Sequence, residues 1–270
     1  MTGDRNVSER AHAVARDARA AARHAWDAFI RWFNGRGWSE NAILLVFAVV
    51  IGTAGALGVV AFYKLIDLAF TVFYRWPAEG IPRLEQAVYR PLLTAAGLAA
   101  AWWIMRRFGR GHDGLNVPDV QLAVARRGGD IPTRPALART AASAVTMGGG
   151  GSAGSEGPVA VLGSAIGSWL GRAFLFDPSR VRVLVGAGAA AGISAAFNAP
   201  LAGAFFALEE VLGSLAVGAF PPVVVSSVVA AIVSRTFFGN HPAFPIPEDT
   251  VTATPWRCWS SFRCSASWRA

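Results

Sequence analysis

The chain has 270 residues, 53% hydrophobic and only 16% charged, with a net charge of +8 and a mean hydropathy of +0.40. Soluble domains carry about 25% charged residues, so the composition argues against a soluble globular domain and for an integral α-helical membrane protein. The basic excess is almost all arginine set between apolar blocks, with no nucleic-acid motif beside it, so it reads as cytoplasmic loop and interface anchoring rather than a nucleic-acid surface.

In chain order, residues 1–38 are rich in alanine and arginine (Arg5, Arg10, Arg16, Arg19, Arg23) at helical spacing. Trp26, Phe29, Trp32 and Phe33 supply an apolar stripe, so the segment reads as an amphipathic interfacial helix. No apolar core follows a short basic start, so it is not a secretory signal peptide. Its charge places the N-terminus in the cytoplasm, the membrane being the plasma membrane of a bacterium. Residues 39–247 form the membrane domain. A long helix is expected over Asn41–Tyr74, a proline-marked loop over Arg75–Arg90, and a second helix from Pro91 to Arg107. A weakly amphipathic stretch runs to Arg127, then a GGDIPTRP turn, then a helical piece over Ala136–Met147.

The run GGGGSAGSEGPVAVLGSAIGSWLG, Gly148–Gly171, breaks that helix and starts another, with Pro158 in its first turn. Gly163, Gly167 and Gly171 share one helix face, a spacing that lets a second backbone approach closely. A small-residue helix over Val183–Asn198 is interrupted at Asn198-Ala-Pro200, and a further helix runs to Glu209-Glu210. Val211–Phe238 is apolar, with a break expected at Pro221-Pro222. Interrupted helices in a membrane are tolerated where the freed backbone faces protein or a wet cavity, and several together mark a transport pathway. Residues 248–270 change composition abruptly. They include VTATPWRCWSSFRCSASWRA, with three of the ten tryptophans and both cysteines, Cys258 and Cys264, and they read as out-of-frame translation, the alternative being an unusual tail. The cysteines have no metal-like spacing.

Helix starts present unpaired N–H groups and partial positive charge, and glycine lets a small anion touch those amides. Three loops have this form: Gly114-Leu115-Asn116-Val117-Pro118, Gly154-Ser155-Glu156-Gly157-Pro158, and Asn198-Ala-Pro200. Glu156 is the only charged residue between Arg139 and Arg172. Ionised, its carboxylate competes with an anion for the same amides; protonated, it leaves. A carboxylate inside a membrane is by default a functional candidate, so Glu156 reads as a proton-dependent gate, the alternative being a carboxylate that caps its own helix. Glu209 and Glu210 are the only charges between Arg182 and Arg235; the alternative for them is a pair closing a helix at the membrane edge. Gly150-Gly-Ser152-Ala-Gly154 also matches the G-x-S-x-G elbow of serine hydrolases, but that motif needs a preceding strand and a later acid and histidine, whereas the preceding segment is helical in character. A phosphate-binding P-loop is excluded because no Gly-Lys-Ser/Thr follows the glycines. No enzyme activity and no cofactor are expected.

GSEGP in a glycine-rich run, followed by AAGISAAFNAPLAGAFFALEE, resembles the CLC family of chloride channels and proton-coupled chloride antiporters. GLNVPDV stands where that family has its G-x-G-x-P anion loop, and the resemblance spans about Leu44 to Pro247. It implies an all-α polytopic fold of tilted, broken and re-entrant helices, comprising the first inverted repeat and the start of the next segment. It implies Glu156 as the gating glutamate, with Gly154, Ser155, Gly157 and Pro158 completing its motif. Gly114 to Pro118 become the first anion loop, and Glu210, with Glu209 beside it, the internal glutamate that passes protons. Chloride and protons are the implied cargo, in a homodimer embedded in the bilayer, with voltage-gated channel or antiporter behaviour. Many members have a serine where Leu115 stands and a glycine at Asn116. The second half with its G-x-F-x-P loop and tyrosine is not recognised in these residues, so a non-transporting remnant is the alternative expectation.

Overall fold

The computed structural model describes residues 40–75, 86–109, 115–214 and 216–239. The interfacial segment 1–38, Gly114 and the stretch 248–270 with its cysteines lie outside the described residues. Helix α1, Glu40–Phe70, continues into a π-helical turn, Thr71–Arg75. It is followed by α2, Gln86–Phe108; α3, Val117–Arg126; and α4, Thr133–Gly148. Then come α5, Glu156–Ala173; α6, Pro178–Phe197; α7, Pro200–Phe206, with a second π turn over Ala207–Val211; and α8, Phe220–Phe238.

Two boundaries differ from those expected. Helix α2 begins at Gln86, with Pro91 inside it. Pro91 is the sixth residue of this helix, where a proline removes the backbone bond to the carbonyl four residues back and crowds it. Pro221-Pro222 does not break the last apolar run. It starts α8, where a missing N–H has no partner to lose, and the break falls at Leu212–Ala219. A third boundary is sharper than expected: α5 opens at Glu156, so the gate candidate is itself the first helical residue.

Among the described residues, three segments are long and apolar enough to cross a membrane: Ala42–Arg75, α6 and α8. Of these, α6 is the most enclosed, 72% buried against 39% for α8. Its neighbours are α1, α5, α7 and α8, and its buried run from Gly186 to Gly192 is all alanine and glycine. Small residues let the surrounding backbones come close, which is how helices associate where lipid removes the hydrophobic drive. The tightest approach is to α5. A Cβ placed at Gly163 would overlap the Gly188 carbonyl, one at Gly188 would overlap Gly163, and one at Gly167 would overlap the Leu184 carbonyl. The stripe Gly163, Gly167, Gly171 therefore meets a helix of its own chain.

Helix α8 is held on α6 by hydroxyls. Ser226 Oγ donates to the Ala187 carbonyl at 2.9 Å, Ser234 Oγ to Ala195 at 2.7 Å, and Ser194 Oγ to Ser227 at 2.7 Å. Each such bond is worth roughly 0.6 kcal/mol in a membrane. The turn before α4 is pinned to α5: Ser168 Oγ donates to Gly129 O at 2.7 Å, and the Ile131 N–H donates back at 2.9 Å. Arg172 pairs with Asp130 at 2.5 Å and donates to Ile131 O at 2.9 Å. Helix α2 packs on α4 at the rim, and α4 joins it to α1.

Candidate functional site

The glycine run after α4 divides into two parts. Gly148 to Gly151 are packed. A Cβ at Gly148 would meet Ala69 and the Ile66 carbonyl, and one at Gly150 would meet the Tyr74 hydroxyl. Gly150 also has φ +82°, a region that disfavours side chains. Tyr74 fixes this corner, with its hydroxyl 2.8 Å from Thr94 Oγ1 and donating to the Gly149 carbonyl at 3.1 Å. Gly154 and Gly157 are the opposite case. A Cβ at either would meet nothing within 4 Å, and neither has a positive φ. Packing does not require glycine there, and its effect is to leave space beside the α5 start.

That start is uncapped: Ser155 precedes it with αR dihedrals and no side-chain cap bond. Unpaired first-turn N–H groups attract an anion or a carboxylate. The Glu156 side chain is exposed and makes no hydrogen bond or ion pair among the described residues. Pro158 is buried and anchors the turn. Val159 and Ala160, the next two residues, join the smaller apolar cluster.

The first loop ends in a different device. Leu115 is 7% exposed and sits in the larger apolar cluster with Leu208 and Val211. An apolar buried side chain offers an anion nothing, so only backbone can serve there. Asn116 caps α3 in an extended conformation, its N–H donating to Asp119 Oδ2 at 2.9 Å and its Oδ1 accepting from Arg139 Nη2 at 3.1 Å. Pro118 has no N–H and the Asn116 N–H is taken, so among the described residues of this loop the remaining amides are those of Leu115 and Val117. Val117 packs on the same cluster as Val159 and Phe197, which brings residues next to all three loops onto one apolar body. At the third loop Asn198 adopts φ 54°, ψ 34°, and its Oδ1 accepts from Arg235 Nε at 2.6 Å.

Glu209 and Glu210 lie in the π turn after α7, both exposed. Single π turns recur at functional sites. Glu210 Oε2 accepts from Gln121 Nε2 at 3.3 Å, so this carboxylate is tied to α3, the helix opened by the first loop. Ser152 is exposed in the loop after α4, a helix rather than the strand that a nucleophile elbow requires.

Sequence reasoning missed Arg139, Asp119, Gln121 and Tyr74 as site-forming residues. Arg139 carried a signal: it is the only charge between Arg134 and Glu156. Gln121 and Tyr74 carried none, because their partners lie 89 and 75 residues away.

The fold defines a polytopic α-helical membrane protein with broken helices, a glycine-flanked helix start at Glu156 and an exposed carboxylate pair at Glu209 and Glu210. The sequence profile described as voltage gated chloride channel matches residues 97–266, more than half of the chain. The chain belongs to this CLC family. That match continues past residue 247 into the compositionally distinct stretch. The chain is 34% identical over 224 residues to a chloride channel protein described as ClcB-like from Ralstonia nicotianae, covering 76% of this chain and 49% of that one. It is 29% identical over 244 residues to the H(+)/Cl(-) exchange transporter ClcA of Salmonella paratyphi B, covering 84% and 49%. Its fold is similar to the crystal structure of a slow cyanobacterial Cl-/H+ antiporter, with TM-score 0.64, 25% identity, and 79% and 52% coverage. The chain thus spans about half the length of the curated relatives it matches.

Proposed function

We propose that this chain supplies one half of a small-anion pathway, with chloride as the anion, in which Glu156 is the gate and Glu210 the inner proton carrier of a chloride/proton exchanger. The observation that carries the reading is the α5 start: an uncapped helix N-terminus, flanked by glycines with open space, whose first residue is a carboxylate without a partner among the described residues. Such a helix end stabilises one anion at a time. The Glu156 carboxylate and a chloride ion compete for it, and protonation of Glu156 releases it to chloride. The Leu115 and Val117 amides at α3 supply the second set of donors. Exchange rather than passive conduction is favoured by Glu210, which Gln121 ties to α3, the helix that the anion loop opens. The relatives described as exchange transporter and antiporter carry the same chemistry in their names. The working protein is a homodimer with a pathway in each copy, and the chain has no enzymatic role.

The test is chloride efflux and proton uptake from proteoliposomes made with the complete gene product. Glu156→Gln abolishes the pH dependence of efflux, and Glu210→Gln keeps chloride movement while proton movement stops. Efflux that keeps its pH dependence in Glu156→Gln sinks the gate. Chloride efflux without proton uptake in the native protein replaces exchange by a passive, voltage-gated conductance. No efflux at all identifies a non-transporting remnant.

A further inference from the structure

The pathway engages Arg139 through Asn116 but gives no role to the other arginines of α2 and α4, Arg106, Arg107 and Arg134. Helices α2 and α4 run antiparallel, with Gly97 against Gly149 at one end and Arg106 beside Arg139 toward the other. The pair leaves a cleft on each side. One, of about 660 Å³, is lined by Arg106 and Arg139 together with Leu98, Trp102 and Met105. The other, of about 680 Å³, is lined by Arg107 and Arg134 together with Ile104, Phe108 and Leu137. Each cleft therefore has one arginine from α2 and one from α4 in its lining; the rest of the second is apolar, and Ser143 and Thr146 join the apolar side chains of the first.

Three further observations bear on the occupant of these clefts. Among the described residues none of the four arginines has an acidic partner: the ion pairs formed are Arg75 with Asp67 and Arg172 with Asp130. The α2 guanidiniums lie over aromatic rings, Arg106 at 5.0 Å from the Trp102 centroid and Arg107 at 5.4 Å from Phe108. Stacking of this kind keeps the N–H edges free for a planar or tetrahedral oxyanion. Within and beside the clefts the apolar side chains of Leu92, Leu98, Trp102, Trp103 and Leu137 are exposed. Tryptophan beside arginine at the end of an apolar helix is the arrangement of the headgroup level of a bilayer.

We propose that these two clefts bind anionic phospholipids, with the phosphate held between the paired guanidiniums and an acyl chain along the apolar wall. A free anion uses only the charged end and leaves the wall unfilled. A neutral lipid leaves four guanidiniums without counter-charge. An anionic phospholipid satisfies both, and basic side chains at a membrane surface favour such lipids by about fivefold each. Arg139 adds a connection: its Nη2 holds Asn116 at the start of α3, so a headgroup in the first cleft lies one hydrogen bond from the anion loop. The lipid site stands apart from Glu156 and does not depend on its gating role.

The experiment is native mass spectrometry of the full chain in neutral detergent, with phosphatidylglycerol, phosphatidylcholine or inorganic phosphate added in turn. Phosphatidylglycerol is expected to stay bound at concentrations where phosphatidylcholine does not, and inorganic phosphate does not displace it. The triple variant R106Q/R107Q/R134Q leaves Arg139 and its bond to Asn116 untouched, and all three replaced side chains are exposed. It lowers phosphatidylglycerol retention roughly fivefold for each arginine that faces a bound lipid. The variant R106K/R107K/R134K, which keeps the charge, retains the lipid. Equal retention of both lipids by the native chain overturns the proposal. So does undiminished retention by the glutamine variant, or displacement by inorganic phosphate.

Discussion

Gly163 and Gly157 stand six positions apart in one glycine-rich run, yet their surroundings are opposite. At Gly163 the backbone of α6 occupies the place of a side chain; at Gly157 nothing does within 4 Å. The first glycine is needed because the protein is there; the second leaves open space beside the α5 start. Gly148 to Gly151 belong with Gly163, and Gly154 with Gly157. The same residue thus serves packing and vacancy within a single run. Only the neighbours of each glycine, not its identity, separate the two roles.

Alanine substitutions break this comparison most directly if it is wrong. Gly163→Ala is expected to have the largest effect, because its methyl overlaps a backbone carbonyl that cannot turn aside. Overpacking costs roughly 1–3 kcal/mol even where side chains can adjust, so folded protein recovered in detergent falls sharply, as size-exclusion chromatography would show. Near-native yield would mean that α5 and α6 are not in backbone contact. Gly150→Ala ranks next. It places a side chain at positive φ, costing about 1–2 kcal/mol, and displaces Tyr74 from Thr94 and Gly149. A thermal unfolding series reads the loss, and an unchanged midpoint would remove the Tyr74 clamp.

Gly157→Ala sharpens the comparison by separating folding from flux. Alanine is favoured over glycine inside a helix by up to about 1 kcal/mol, so stability holds or rises while chloride efflux falls, because the methyl enters the space beside the α5 start. Equal efflux in Gly157→Ala and the native protein would show that the space is not on the anion's route. Ser226→Ala gives the smallest effect, roughly 0.6 kcal/mol from one interhelical hydroxyl bond. A much larger loss there would mean that α8 is held on α6 by this bond more than by its apolar contacts.

How much of the site is legible in the chain obeys the same division. Glu156 and the Glu209-Glu210 pair are visible because charge is rare in an apolar chain and no other charge lies near either in sequence. Glu156 as a helix start is visible from glycine before it and proline after it. The tie between Glu210 and Gln121 is not, because it joins residues far apart in sequence through a π turn that no local pattern announces. Leu115 is expected in the anion loop, and its burial among Leu208 and Val211 shows why an apolar side chain can stand there: it belongs to the core while its backbone belongs to the loop. Pro221-Pro222 looks like a break because proline ends helices more often than its neighbours reveal, and here it begins one.

By itself the sequence determined that the chain lives in a membrane, that its helices are interrupted, and which carboxylates are exceptional. Those properties depend on composition and on local backbone chemistry, which act over a few residues. The tertiary structure decided which glycines are crowded and which are open, which helix meets the Gly163 stripe, and which arginines among the described residues are left without an acidic partner. Those depend on what a distant segment places beside each residue, and a pattern of near neighbours carries no record of that.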